Sequence, residues 1–367
     1  MAMKKMLNII ILLTFALLSG CSHKGSLLKT RVSSPTHHVK VGTVFLEKGK
    51  ISEAQKQFLL ALEEDPSLVK AHVGLALVKA YQKQEKAAWT KIEEAKKMIK
   101  TQDDTVDIYE GEIHLVYLLF SPKMLPTAEQ AFKQIIEIRP GDASACFYMA
   151  LVYEKAFLFD KAISLLDRVL KTENPFVLRA YNEIDKIAKI KKAQPITDIG
   201  KEIALKDIIT KADMAALLVH ELHLPQLIEV SFNNSPTAKD ILGERFAKEI
   251  LAIIPLGIRE LSATVDGYFE PQQKLTKASL CEILQDIFVR VTGNKQLRHR
   301  FQKIHSPYKD LDPKMPYYNA CILGLIKGFV LPQDRPNKIF GTLSPVSGAE
   351  VVLALKRLRQ EARIFSR

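Results

Sequence analysis

The side chains that could do chemistry in this 367-residue chain are few and scattered. His220-Glu221-Leu222-His223 offers two imidazoles and a carboxylate, but a zinc-holding protease helix needs its histidines four residues apart and these are three apart. His37 and His38 adjoin each other with no acidic or thiol neighbour in sequence. Asp310 and Asp312 suggest a cation loop, yet the ladder of oxygen ligands and its closing glutamate are missing. After Cys21 only Cys146, Cys281 and Cys321 remain, an odd number without metal-ligand spacing, so they read as buried thiols. No glycine-rich phosphate loop or Gly-x-Ser-x-Gly elbow occurs in a matching context. The chain therefore reads as a non-enzyme, with no catalytic residue, no metal and no cofactor expected. Cys21 stands apart because of the segment that precedes it.

Lys4 and Lys5 give that segment a basic start, and Leu7 to Leu18 form an apolar run shorter than the roughly 20 residues a membrane helix needs. Residues 1–20 read as an export signal. The tetrapeptide Leu18-Ser19-Gly20-Cys21 resembles the lipobox of bacterial lipoproteins. That resemblance implies that the Cys21 thiol carries acyl chains such as palmitate and becomes the mature N-terminus. Each buried methylene contributes about 0.8 kcal/mol, so several chains would hold the protein on a bilayer surface. The expected location is the cell envelope. Ser22 is not the aspartate that retains many diderm lipoproteins at the inner membrane, which favours the outer membrane in a diderm cell, facing the periplasm or the surface. In a monoderm cell the outer face of the plasma membrane is expected.

The formal charge of +12 falls by two when Lys4 and Lys5 are removed, and the mature chain remains basic. A basic balance favours anionic neighbours such as phospholipid head groups or acidic glycans, and export argues against nucleic acid. With 47% apolar residues and no second long uncharged run, the remainder reads as a folded body on an anchor. Residues 21–36, containing Gly25, Ser33, Ser34 and Pro35, read as the tether.

Two repeat systems follow the tether. Small and large residues alternate through Gly42, Phe45, Ala54, Phe58, Ala61 and Pro66, as closely packed antiparallel helices require. Ala54, Phe58 and Ala61 recur at one fixed offset as Ala88, Ile92 and Ala95, and at the same offset Ala128, Phe132 and Ile135 recur as Ala162, Leu166 and Val169. The step from Ala88 to Ala128 is six residues too long, and Ser121 to Pro126 reads as the loop that holds the excess. Both the order of residues and the offset resemble a tetratricopeptide repeat, whose unit is about 34 residues long. The resemblance implies an α-solenoid of about four repeats over residues 37–190, closed by a capping helix carrying Leu178, Tyr181, Ile184 and Ile187. It further implies a groove for a protein partner, with Lys40, Thr43, His72, Lys79 and Tyr148 as contact positions.

Beyond Lys191 to Pro195 the pattern changes. Gly257, Phe269, Thr276, Ala278, Leu280 and Leu284 recur, all at a second and longer offset, as Gly328, Phe340, Ser347, Ala349, Val351 and Leu355. Thr210, Ala212, Met214 and Leu218 match the Thr276, Ala278, Leu280 and Leu284 positions once more, earlier in the chain and at a slightly shorter step. Each Thr or Ser is placed to cap a helix, and Asp213 or Glu350 three residues on completes a capping box. These three motifs resemble S-layer homology motifs, which implies a mostly helical module over residues 196–367 that attaches to cell-wall polysaccharide. Lys211 and Lys277 stand where wall-binding members carry arginine, and read as exposed charges for an anionic glycan. The third motif carries Gly348 there, and the first lacks a clear Gly and Phe half.

The chain thus reads as mainly α, a tetratricopeptide solenoid followed by a three-motif module, and as a lipid-anchored envelope scaffold. Its partners would be a membrane through Cys21, a protein in the solenoid groove and an anionic wall polysaccharide. The alternative is a pilotin-like assembly factor for a secretion or pilus system, with the second module binding protein or serving structure alone.

Overall fold

The computed structural model describes residues 34–228 and 238–363, so Cys21, the export segment and nearly all of the tether lie outside the described residues. The described chain is mainly helical, with sixteen α-helices and no strand. No helix among the described residues is long and apolar enough to cross a membrane. The chain divides into two compact units, 1–140 and 141–367.

Three helical hairpins build the described part of the first unit: α1 (Pro35–Glu47) with α2 (Ile51–Glu64), α3 (Val69–Tyr81) with α4 (Glu85–Lys96), and α5 (Gln102–Leu118) with α6 (Leu125–Ile138). Ser34 caps α1 with Pro35 in its first turn, where a missing N–H costs nothing. The tight turns of the first two hairpins each need one left-handed residue. Gly49 supplies it at φ +70°, and Lys83, at the matching position of the second hairpin, at φ +61°. Phe58 decides how close α1, α2 and α3 come. A Cβ at Gly42 would lie 2.7 Å from its ring and one at Gly74 2.4 Å, so glycine at both positions lets the ring sit between helices. Ala54, Ala88 and Ala128 are fully buried.

The six extra residues of the third hairpin do not form the plain loop expected at 121–126. Four of them lengthen α5 to 17 residues against 13 for α1 and α3. Pro122 starts a 3-10 turn and Pro126 lies in the first turn of α6, both places where proline is tolerated.

In the second unit α7 (Ala143–Lys155) and α8 (Phe159–Val169) form a fourth hairpin, turned by Phe157 at φ +58°, and α9 (Val177–Ala193) follows. The division at residue 140 thus separates the fourth expected repeat from the first three. On α9 the buried face is Ala180, Ile187, Ile190 and Ala193, whereas Leu178 and Tyr181, expected to cover the stack, are exposed. Helical spacing alone could not tell which of two apolar rows turns inward. Ile190 and Ala193 belong to the same core as the helices beyond them.

Those helices are α10 (Asp198–Ala204), α11 (Lys211–His220), α12 (Leu224–Leu227), α13 (Ala247–Ile253), α14 (Lys277–Thr292), α15 (Tyr318–Ile326) and α16 (Gly348–Glu361), the last packed along α9. Their core is organised around three capped helix starts. Thr210, Thr276 and Ser347 cap α11, α14 and α16, with full capping boxes at Thr210 and Ser347. The residue before each cap joins a closed ring. Ile209 N donates to Val346 O at 3.1 Å, Val346 N to Leu275 O at 3.1 Å, and Leu275 N to Ile209 O at 3.0 Å. Each motif therefore holds the next, and the third holds the first. Left-handed backbone recurs with the period of the second and third motifs, at Gly257 and Gly328, Gly267 and Lys338, and Glu270 and Gly341. The shortened first motif fills its place with α10, capped by Thr197.

Candidate binding site

The first turn of each motif helix lies against a loop of the next motif. Lys211 and Ala212 donate their backbone N–H groups to Gln273 and Pro271, and Lys277 and Ala278 donate to Ser344 and Thr342. This places each lysine side chain over the repeated phenylalanine. The Lys211 amine is 4.9 Å from the Phe269 ring centre and the Lys277 amine 5.7 Å from that of Phe340, within cation–π range. Neither is the exposed charge expected from sequence, since they are 6% and 5% exposed. Burial draws both amines below the ordinary lysine pKa, against nearby carboxylates that favour the charge.

Lys277 lines a cavity of about 370 Å³. Its Nζ gives one hydrogen bond to Leu331 O at 3.0 Å. Lys189, Arg357, Asp185 and Glu350 also line this cavity, with Leu280, Val330, Pro332 and Leu353 as apolar wall. Lys189 is held 2.6 Å from Asp185, Arg357 donates to Gly328 O, and Glu350 is committed to the cap of α16. The arrangement can receive an anionic group at Lys277 beside an apolar surface.

The third motif has no equivalent lysine for a steric reason. A Cβ at Gly348 would lie 1.7 Å from Ile203 O, because α10 occupies the space that a lysine would need. Gly348 N instead donates to Lys206 O at 2.8 Å. Two more contacts fix α10: Glu221 accepts from Ile196 N, Thr197 N and the Thr197 hydroxyl, and a Cβ at Gly200 would strike Glu221 Oε1 at 2.0 Å.

Of the expected groove residues, Lys40 and Thr43 are exposed on α1, with the Thr43 hydroxyl turned back to Val39 O. His72 and Lys79 are half-buried on α3. His72 Nε2 meets Pro66 O at 2.9 Å while its Nδ1 is buried without a hydrogen bond. Tyr148 belongs to the second unit, edge-on to Phe147 and Phe176 in a cluster over which the Arg179 guanidinium lies. Lys40, Thr43, His72 and Lys79 thus belong to the first unit and Tyr148 to the second.

The other chemical candidates are engaged locally. His220 Nε2 pairs with Glu249 at 2.9 Å and His38 Nδ1 with Gln57 at 2.8 Å. Cys146, Cys281 and Cys321 are buried free thiols, and contact with Cys281 together with burial raises the pKa of Cys321. Asp310 accepts the N–H groups of Phe340, Gly341 and Thr342, and Asp240 those of Phe269 and Glu270. Burial pushes both acids up, but these N–H groups outweigh it and hold them below the ordinary value. Sequence reasoning missed Asp240, although its separation from Phe269 along the chain nearly repeats that of Asp310 from Phe340. The Asp312 carboxylate accepts from Lys314 N at 2.8 Å. Among the described residues no group of three or more His, Cys, Asp or Glu could hold a metal ion. Compared with known proteins, the chain matches no family model and no curated protein.

Proposed function

We propose that this protein is a non-enzymatic scaffold of the bacterial cell envelope, anchored by lipid at Cys21. Its tetratricopeptide-like hairpins bind a protein partner, and its S-layer-homology-like second part binds an acidic wall polysaccharide. The observation that carries the second half is the cavity over Lys277, where a desolvated amine faces room for a sugar-sized anion beside an apolar wall. The stack of hairpins with small residues at the crossings supports the first half. Sedimentation of the mature chain with purified peptidoglycan, with and without its attached polysaccharide, tests the reading. Binding should need the polysaccharide and should weaken between 0.1 M and 1 M salt, as the screening length falls from about 10 Å to about 3 Å.

A second reading, an assembly factor for a secretion or pilus system, is favoured by Lys211 and Lys277 themselves. Each spends its charge on a phenylalanine of its own chain, as an element of structure would. In that case the mature chain would not sediment with either form of the wall at low salt.

A further inference from the structure

A second set of charges lies away from Lys277, at the packing of α7, α9 and the segment before α11. Glu154 of α7 is 3% exposed, and Lys186 Nζ lies 2.8 Å from its Oε1, 2.5 Å from Glu183 Oε2 and 3.6 Å from Asp207 Oδ1. One ammonium therefore serves three carboxyl groups. Glu154 Oε2 is buried and makes no hydrogen bond, while Glu183 Oε2 has the Lys186 ammonium as its near neighbour. Both carboxyl groups meet the same Lys186 ammonium, which brings them beside each other. Two carboxylates offer only acceptors, whereas an acid and a carboxylate bond through one proton.

We propose that Glu154 and Glu183 share a proton that latches α7 to α9, and that alkaline medium releases the latch. Burial first, and the neighbouring Glu183 charge after it, raise Glu154 to about 8 against the pull of Lys186. The other charges at this junction are already committed. From α8, Asp160 pairs with Lys191 at 2.7 Å and Lys161 lies over the Tyr153 ring. On α9, Asp185 pairs with Lys189. From α16, Glu350 caps its own helix and Lys356 donates to Lys192 O and Gln194. Asp207 is exposed and only loosely tied to Lys186. When the proton leaves, the single Lys186 ammonium faces three carboxylates. A folded-state value above the ordinary 4.5 means that the stabilisation is complete below about 4.5 and is lost as pH rises through about 8. Because α9 also supplies Asp185 and Lys189 to the cavity of Lys277, the latch holds one wall of that cavity whatever ligand it takes.

Carbon-13 NMR of glutamate carboxyl groups in the mature chain, with amide exchange followed from pH 6 to 10, tests the latch. One carboxyl should titrate near pH 8 and vanish in Glu154→Gln. Exchange in 143–155 and 177–193, corrected for its intrinsic rate, should rise about tenfold per pH unit up to about pH 8 and level off above it, and only in the wild type. A wild-type chain whose glutamates are all ionised at pH 7 would overturn the proposal, as would the same exchange profile in the variant. Should Glu154→Gln fail to fold, the wild-type titration decides alone.

Discussion

The two units solve the burial of apolar helix faces in different ways. In the first, each hairpin packs on the next in sequence, and the contacts that set the spacing, such as Phe58 against Gly42 and Gly74, join near neighbours along the chain. In the second, Ile209, Leu275 and Val346 close a ring that ties the first motif to the last, and one core runs from Ile190 to Leu358. A stack can lose one contact and keep its other interfaces, because its stability is a sum of neighbour terms. A closed ring has no such partial state, since opening one joint leaves two motif faces uncovered. Damage should stay local in the first unit and spread in the second.

Gly348→Ala should have the largest effect. The obstructing atom is a backbone carbonyl of α10 that cannot swing away, so we expect a loss of about 3 kcal/mol or more. Proteolysis should then cut throughout the second unit while the helices of the first stay protected. Equal protection of both would break the contrast between ring and stack. Gly74→Ala should come next, costing about 1–3 kcal/mol by crowding the buried Phe58 ring. Its signature is faster amide exchange in α1 to α3 with the second unit unchanged.

Asp310→Asn should cost about 2 kcal/mol by weakening three charge-assisted N–H bonds. Asp310 is held below its ordinary 3.8, so its contribution is present above that pH and lost as pH falls through the lower folded value. Acid unfolding of the second unit should therefore be less steep in the variant, and an unchanged acid limb would show that the Asp310 clamp is idle. Thr276→Ala should be the mildest, about 1 kcal/mol for one helix cap, read as a small fall in the thermal midpoint.

Much of this architecture is legible in the sequence because it repeats. Helix caps at Thr210, Thr276 and Ser347 follow from residue type and spacing alone, and the burial of Ala54, Ala88, Ala128 and Ala162 follows from their common register. What cannot be read depends on which chain segment lies against which. Lysine is exposed by default, so the burial of Lys211 and Lys277 requires knowing that the phenylalanine of the following motif lies beneath each amine. Gly348 looks like a lost cation until α10 is seen in its place. Leu178 and Tyr181 follow the helical period faithfully and still face outward, since period fixes a row but not the side that finds a partner. At the junction of Glu154, Glu183 and Lys186 only the last two, three residues apart on one helix, can be paired from sequence, because Glu154 comes from a separate helix that the fold brings to them.

The proposed wall binding depends most on Lys277 as the receiver of an acidic glycan. Co-sedimentation of the mature chain with polysaccharide-bearing wall, comparing wild type with Lys277→Gln and Lys277→Arg at low salt, tests this most directly. Amide-exchange protection should first show that α14 and α16 are intact in both variants. Binding should then be lost in Lys277→Gln and kept in Lys277→Arg, which retains the charge in the same cavity. A folded Lys277→Gln protein that sediments as the wild type does would contradict the claim.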